Sequence, residues 1–188
     1  MPCHRLLACA AALALTSTLA PLPAQAATTS VTTDLYGKSC RLVESQPRGA
    51  SSTRRCAGAR GYALLVHETE GRSSIDIVAP GKQAWQLDVW DVVAPGLSQV
   101  GRKAEWQMAG GAPQALLVRV DTIDTSNMVF PRTSTAIAVA RIDGDGACIV
   151  FKVDANARGA EAEARKAAAD RSRKCLGTYA GASLPTPL

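Results

Sequence analysis

Residues 134–153 are STAIAVARIDGDGACIVFKV, two apolar runs separated by Asp143-Gly144-Asp145-Gly146. Asp-Gly between alternating apolar residues is a strong hairpin signal, because both residue types adopt the backbone angles of a tight turn at low cost. The segment therefore predicts two antiparallel strands, 134–142 and 147–153. The aspartates also resemble the opening of a calcium loop, but Ala147 and Cys148 stand where further oxygen ligands are needed, so the hairpin is favoured.

Shorter runs of the same kind lie upstream and are divided by turn residues such as Glu70-Gly71-Arg72 and Gly110-Gly111. They predict strands at 62–67, 74–78, 85–92 (with a bend near Asp88), 104–108 and 115–120. About seven strands with no helical run between them predict a mainly β fold, a single antiparallel sandwich or barrel.

One helix is predicted at the C-terminal end, from Ala157 to Lys174, with Asn156 as its N-cap. Its composition is almost entirely Ala, Arg, Glu, Lys and Asp, with i,i+4 pairs Glu161–Arg165 and Asp170–Lys174. A narrow stripe of small residues would face the sheet: Ala160, Ala164, Ala167 or Ala168, and Cys175. Alanine buries little area, so a disulfide is expected to hold the helix. A solvated outer face is favoured over an interaction surface.

The N-terminal 1–26 has the organisation of an export signal. Arg5 precedes an apolar run from Leu6 to Leu22, and Ala24-Gln25-Ala26 supplies the small-x-small cleavage pattern. The run is too short and too broken by proline for a good membrane span, so no integral membrane anchor is expected. We therefore expect cleavage near Ala26, a periplasmic or secreted protein, a single domain at 27–176 and a flexible tail at 177–188.

An alternative interpretation of the same segment is a lipoprotein site at Leu6-Leu7-Ala8-Cys9. An export signal carries its apolar segment before the cleavage point, whereas most of this apolar run follows Cys9. The lipoprotein interpretation is therefore disfavoured.

Four cysteines remain after residue 26, and an even number in an oxidising compartment predicts two disulfides. Of the three possible pairings, the local one is favoured: Cys40–Cys56 and Cys148–Cys175. No pair shows Cys-x-x-Cys spacing and His67 has no cysteine or histidine near it in sequence, so neither a metal site nor a cofactor is predicted.

Positive charge is concentrated in residues 27–60, which carry six basic and two acidic side chains, whereas residues 61–188 are balanced. The candidate binding residues of this segment are Arg48, Arg54, Arg55 and Arg60. They are candidates for a patch that binds an anionic envelope component or protein surface, but the plainer interpretation of a solvated polar loop is favoured. Nucleic acid is not expected, since no aromatic residue lies between Lys38 and Arg60 to stack on a base.

Chemistry-bearing residues are few. His67 ends an apolar strand beside Glu68, which is typical of a structural histidine rather than a catalytic base. Three tryptophans are further candidates for binding, by stacking on sugar rings, although core anchors are favoured: Trp85, Trp90 and Trp106. Carboxylates near them could serve glycoside hydrolysis: Asp88, Asp91 and Glu105.

Several short motifs occur together in this chain: Cys40, Cys56, Gly61-Tyr62, Glu70-Gly71-Arg72, Leu87-Asp88-Val89-Trp90, Glu105-Trp106 and Cys175-Leu176. With the Ala/Arg/Glu-rich helix they resemble a family of small exported proteobacterial proteins with no assigned function. The resemblance spans about residues 34–176. It implies export and a shared fold, and no reaction.

The sequence thus predicts an exported, non-catalytic, disulfide-stabilised β domain that binds an envelope component or a protein partner. Two alternatives stay open. One is a small cell-wall or polysaccharide hydrolase that uses carboxylates, and the other is a proteinaceous inhibitor of a wall-degrading enzyme.

Overall fold

The computed structural model describes residues 28–47, 50–124, 126, 129 and 131–177. Ten strands and two helices follow one another along the chain: β1 (Thr29–Asp34), β2 (Cys40–Ser45), β3 (Ser51–Ala57), β4 (Ala63–Thr69), β5 (Arg72–Val78), β6 (Ala84–Gln86), α1 (Val89–Val92), β7 (Leu97–Ala109), β8 (Ala112–Asp124), β9 (Arg132–Asp143), β10 (Gly146–Asp154) and α2 (Ala160–Ala169). The predicted signal peptide and the predicted tail beyond residue 177 lie outside the described residues.

The strands form one mixed sheet in the order β10-β9-β8-β7-β5-β4-β3-β2, with β1 paired to β7 and β6 paired to β5. The mainly β class with a C-terminal helix is confirmed. The predicted count of seven strands, the purely antiparallel pairing and the barrel alternative are wrong. Ten strands are present among the described residues, β5 and β7 meet in parallel at Arg72 and Ser98, and the sheet does not close. Such a meeting of distant strands leaves no local pattern in the sequence.

Two predicted hairpins are confirmed, β9–β10 and β4–β5, each with a tight turn between its strands. Strands β9 and β10 join at Asp143 and Gly146. The β4–β5 turn places Glu70 and Gly71 at φ 47° and 79°. Positive φ at both central residues gives the twist that suits a two-residue hairpin, and glycine adopts it without steric cost.

The sheet curls so that β4 and β5 face β7–β10 across one apolar core. Its largest member is Trp106, which is fully buried; its ring meets Tyr62 edge-on at 5.8 Å and its Nε1 donates to Thr33 Oγ1 at 2.9 Å. A Cβ on Gly58 would lie 2.5 Å from the indole, so the backbone passes the ring only because Gly58 has no side chain. This core holds the two parts of the sheet together in the manner of a sandwich.

Helix α2 covers the outer face of β8–β10 and is shorter than predicted. Its N-cap is Gly159 at φ 80°, not Asn156, because the chain first turns at Asp154, whose carboxylate accepts from Asn156 N. It ends where Asp170 accepts from the backbone and hydroxyl of Ser172. The alanine stripe is confirmed as the buried face: Ala160, Ala164, Ala167 and Ala168. The Glu161–Arg165 pair forms at 3.7 Å. The predicted Asp170–Lys174 pair falls beyond the helix.

Both predicted disulfides are confirmed, Cys40–Cys56 and Cys148–Cys175. The first joins neighbouring strands β2 and β3. The second ties the segment after α2 to β10, and Leu176 N extends that link by donating to Ile149 O at 2.7 Å.

Candidate functional site

The basic segment around the first disulfide is a two-stranded ribbon, formed by β2 and β3 and called the basic ribbon below. The segment is therefore not the polar loop that was favoured from the sequence, although its side chains are largely exposed. Strand β2 lies at the edge of the sheet with nearly all of its residues exposed on both faces, so it shows no alternation of apolar and polar residues. Cys40 and Cys56 stand directly opposite each other, with a Cα–Cα distance of 3.9 Å.

The arginines of the basic ribbon divide between its two faces. Arg54 lies on one face, where it donates to Glu68 at 3.1 Å and stacks 5.2 Å from the centre of the Tyr36 ring. Arg41 and Arg55 stand opposite each other on the other face, and neither forms an ion pair with any described residue. Like charges directly opposite across a ladder repel. Glu44, opposite Thr53, lies on the same face, so the two arginines leave that face with a net positive charge.

The remaining predicted arginines add little to this arrangement. Arg60 is exposed in the turn after β3, at φ 53°. Arg48 lies outside the described residues. Arg54, held by Glu68 and Tyr36, stabilises the fold and is a poor ligand for a partner.

Apolar side chains are exposed beside these charges. Leu42 and Val43 on β2 are 57% and 47% exposed, and the ladder shifts by one residue between Leu42 and Glu44, so that Val43 forms a bulge. Strand β2 has β3 as its neighbour and ends the order of strands. The basic ribbon therefore offers an open strand edge next to unpaired positive charge.

An acidic cavity of about 320 Å³ lies between β4–β5 and the segment that leads into α1. Its lining includes His67, Thr69, Ser74, Asp76, Gln86, Asp88, Val89, Trp90 and Asp91. His67 Nε2 lies 2.9 Å from Asp76 Oδ2, and its Nδ1 lies 3.1 Å from Thr53 Oγ1. Both ring nitrogens are thus engaged inside the protein, which agrees with a structural role for His67. Within the described part of the chain, no three His, Cys, Asp or Glu side chains are arranged to hold a metal ion.

Asp88 and Asp91 are the carboxyl groups of this cavity whose side chains have no partner among the described residues, and Asp88 is the more buried of the two. The chain bends at Asp88, as predicted, with φ 50° and ψ 39°. The predicted strand 85–92 is wrong beyond Gln86, because Val89–Val92 form α1. Burial raises the pKa of the Asp88 carboxyl, and the negative charges of Asp91 and Asp76 raise it further. The Asp88 carboxyl forms no hydrogen bond or ion pair with the residues described, whereas the Asp76 carboxyl is bound by His67 and by Leu87 N.

The tryptophans predicted to bind sugars occupy different environments. Trp106 is fully buried, so the structure contradicts its assignment as a binding residue and makes it a core anchor. Trp85 packs against the core 6.4 Å from Tyr62. Trp90 lines the acidic cavity, where its Nε1 donates to Ser73 O and the Arg72 guanidinium lies 4.7 Å from its ring centre.

The predicted carboxylate cluster is brought together only in part. Asp88 and Asp91 line the same cavity. Glu105 lies on β7, where it accepts from Arg165 Nε at 2.9 Å and Nη2 at 3.0 Å. These hydrogen bonds lower the pKa of the Glu105 carboxyl and make it a partner of α2.

Asp76 was missed as a member of the site, although the sequence contained a signal for it. The two-residue turn at Glu70 and Gly71 sets the β4–β5 register and pairs His67 with Ser74. Residues two apart on a strand share a face, so Asp76 had to lie on the same face as His67. Asp88 and Trp90 reach the same face only because the chain bends at residue 88. The sequence contains no pattern from which their position beside Asp76 could be predicted.

Comparison with protein-family models found no match, and neither the curated proteins nor the solved structures contain a significantly similar chain. None of the helices in the described ranges is both long and apolar enough to cross a membrane.

Proposed function

We propose that this protein is an exported, non-catalytic domain that binds an anionic partner through the basic ribbon. The observation that carries the proposal is the pair Arg41 and Arg55, which stand opposite each other on one face and form no ion pair with a described residue, although Glu44 lies on the same face opposite Thr53. An anionic group placed between two such guanidiniums relieves their repulsion as well as pairing with them. The disulfide at the end of the ribbon limits its motion and so lowers the entropy lost on binding.

Export is supported by the export signal predicted at residues 1–26, by the two disulfides and by the resemblance to small exported proteobacterial proteins. N-terminal sequencing of the protein from the periplasmic fraction or the medium is expected to begin near Ala27. A chain that begins at a lipid-modified Cys9 would contradict this part of the proposal.

The binding proposal is tested with a defined polyanion, poly-L-glutamate, and the double variant Arg41→Gln/Arg55→Gln. Each exposed charge pair at about 4 Å is worth about 1 kcal/mol in water. Removal of two therefore predicts a loss of about 2 kcal/mol, roughly 30-fold in Kd. Isothermal titration calorimetry at two ionic strengths measures the loss and its dependence on salt.

The matched control is Arg158→Gln/Lys166→Gln, which removes the same charge from exposed positions near α2. It is expected to bind poly-L-glutamate within twofold of the parent. Equal losses in both double variants would show attraction by net charge alone and would refute a site on the basic ribbon.

A second candidate function, hydrolysis by carboxylates, is favoured by the cavity that holds Asp88 beside Trp90. A carboxyl group with a raised pKa keeps its proton at higher pH and is suited to protonate a leaving group. Soluble peptidoglycan and polysaccharide substrates would be assayed with the parent, Asp88→Asn and the exposed control Glu163→Gln. Release of reducing ends that Asp88→Asn abolishes and Glu163→Gln retains would favour this candidate.

A further inference from the structure

The open edge of β2 has backbone groups that no strand of the described residues pairs with. Cys40 and Cys56 are a non-hydrogen-bonded pair, as their 3.9 Å Cα separation shows. The ladder alternates, so Arg41 pairs with β3 through its backbone, whereas the N–H and C=O of Leu42 are directed away from β3. Cys40 N, which is directed the same way, donates to the turn carbonyl of Gly37 at 3.1 Å, in agreement with this geometry.

The same alternation resumes beyond the bulge at Val43. Gln46 N donates to Ser51 O at 3.0 Å, which makes Gln46 and Ser51 a hydrogen-bonded pair. Ser45, opposite Ser52, is therefore the next residue whose backbone groups are directed to the open edge. Leu42 and Ser45 together offer two N–H donors and two C=O acceptors in strand conformation.

The side chains on either side of this edge differ in chemistry. Arg41 and Arg55 form the charged face, and Leu42 is exposed on the opposite face. In a strand added next to β2, a side chain beside Arg41 would lie about 5 Å from it at Cβ. Successive residues of that strand would meet the arginine face and the leucine face in turn.

From these observations we propose that the edge of β2 takes an added β-strand from a partner protein, an extended segment in which acidic and apolar residues alternate. This inference rests on the proposed function, since it specifies how the basic ribbon binds its anionic partner. Main-chain hydrogen bonds provide affinity in this mode, and alternate side chains provide specificity. A second copy of this chain is the competing occupant, because its β2 carries both Arg41 and Glu44 on the same face, and a dimer at the assay concentration would refute a partner strand.

Strand β2 is fixed in an extended conformation before a partner strand binds. The disulfide fixes one end of the ribbon, and Glu68 on β4 accepts from three groups around it: Tyr36 Oη, Ser52 Oγ and Arg54 Nη1, each at 3.1 Å. These contacts fasten β3 to the sheet and keep β2 extended in the unbound protein, which lowers the cost of ordering on binding. The bulge at Val43 is typical of edge strands that avoid indiscriminate pairing.

The test uses the synthetic peptide EVEIEV and two N-methylated forms of it, one methylated at the glutamates and one at the apolar residues. An added strand uses the N–H groups of alternate residues only. One methylated form is therefore expected to bind at least tenfold more weakly, and the other within threefold of the parent peptide. Fluorescence anisotropy gives the three Kd values, with poly-L-glutamate measured in parallel.

Hydrogen exchange on the complex locates the added strand. The amides of Leu42 and Ser45 are expected to become protected when the peptide binds, whereas the Arg41 amide, already paired with β3, changes little. The variant Leu42→Pro removes an outward N–H that β3 does not use, and it is expected to lose peptide binding at least tenfold while it binds poly-L-glutamate like the parent. If that variant fails to fold, the methylated peptides still decide.

Equal binding of the peptide and both methylated forms, together with binding of poly-L-glutamate, would refute strand addition and leave the proposed function standing as attraction to a polyanion. Failure of the peptide alone, with poly-L-glutamate bound, would likewise refute strand addition and spare the proposed function. Failure of both probes to bind would refute the inference and the proposed function together.

Discussion

Removal of the Cys148–Cys175 disulfide is expected to release α2 from the sheet. The face that α2 buries consists of alanines, Ala160, Ala164, Ala167 and Ala168, and each offers only one methyl group to the apolar outer face of β8–β10. A methyl group contributes little when it is removed from water. The helix thus depends on the covalent link that follows it and on ion pairs to the sheet, Arg165 with Glu105 and Arg119 with Glu161. Hydrogen bonds from Arg141 and Arg171 hold the segment that follows the helix.

The magnitude follows from the sequence separation of 27 residues between the two cysteines. The chain-entropy model gives about 3.5 kcal/mol for a loop of this size. At this chain length, such a loss lowers the melting temperature by roughly 10 °C. The double variant Cys148→Ala/Cys175→Ala avoids new buried polar groups, since Cys148 is buried.

Urea denaturation measures the global loss, and hydrogen exchange of the α2 amides measures the local one. The control is Cys40→Ala/Cys56→Ala, which removes a loop of 16 residues worth about 3 kcal/mol but leaves α2 tethered. We expect α2 to lose protection in the first variant and to retain it in the control. A loss below about 1 kcal/mol with α2 fully protected would show that alanine packing and the arginine contacts suffice, and would refute the reasoning.

Three further predictions concern the core, the ribbon and the cavity. Gly58→Ala places a methyl group against the Trp106 ring and should lower the free energy of unfolding by about 1–3 kcal/mol, as measured by thermal denaturation. The control Gly144→Ala has open space around it and should lower it by less than about 0.5 kcal/mol. Equal losses in the two variants would contradict the close approach of Gly58 to the indole. Arg54→Gln should lower the free energy of unfolding by up to about 1 kcal/mol, because the ion pair with Glu68 and the stacking on Tyr36 are lost. An unchanged melting temperature would contradict a structural role for Arg54. The folded protein binds the Asp88 proton more tightly than the unfolded chain does, so the free energy of unfolding falls as pH rises from the ordinary aspartate range through the raised pKa of Asp88. Asp88→Asn should remove this part of the decline, and a melting-temperature profile that keeps it would refute the assignment.

Much of the local structure was predictable. The Glu70-Gly71 turn specified its hairpin because few residues adopt positive φ at low cost. The turn at Asp143–Gly146 has no residue at positive φ, and its signal was the group of Asp and Gly residues between two apolar runs. The bend near Asp88 followed from a change in which residues share a face. The ribbon was not predictable from periodicity, since an edge strand with both faces exposed needs no apolar alternation.

The residues of the candidate sites were predictable from the sequence only where their positions depend on neighbours in the chain. The excess of positive charge was evident from composition, but the assignment of Arg54 to the fold required the contacts with Glu68 and Tyr36. Trp106 and Trp90 have the same side chain, and only their surroundings make one a core anchor and the other a cavity residue.

The amino-acid sequence by itself determined the mainly β class, the tight turns, the alanine face of the helix and the concentration of positive charge, because each depends on residues close together in the chain. The tertiary structure alone decided that β5 meets β7 in parallel, that β2 is left at the edge and that Asp88 lies beside Asp76 and His67. Such non-local contacts form where the burial of the whole core outweighs the entropy of closing long loops. That balance belongs to the complete fold, and no single segment of the chain carries it.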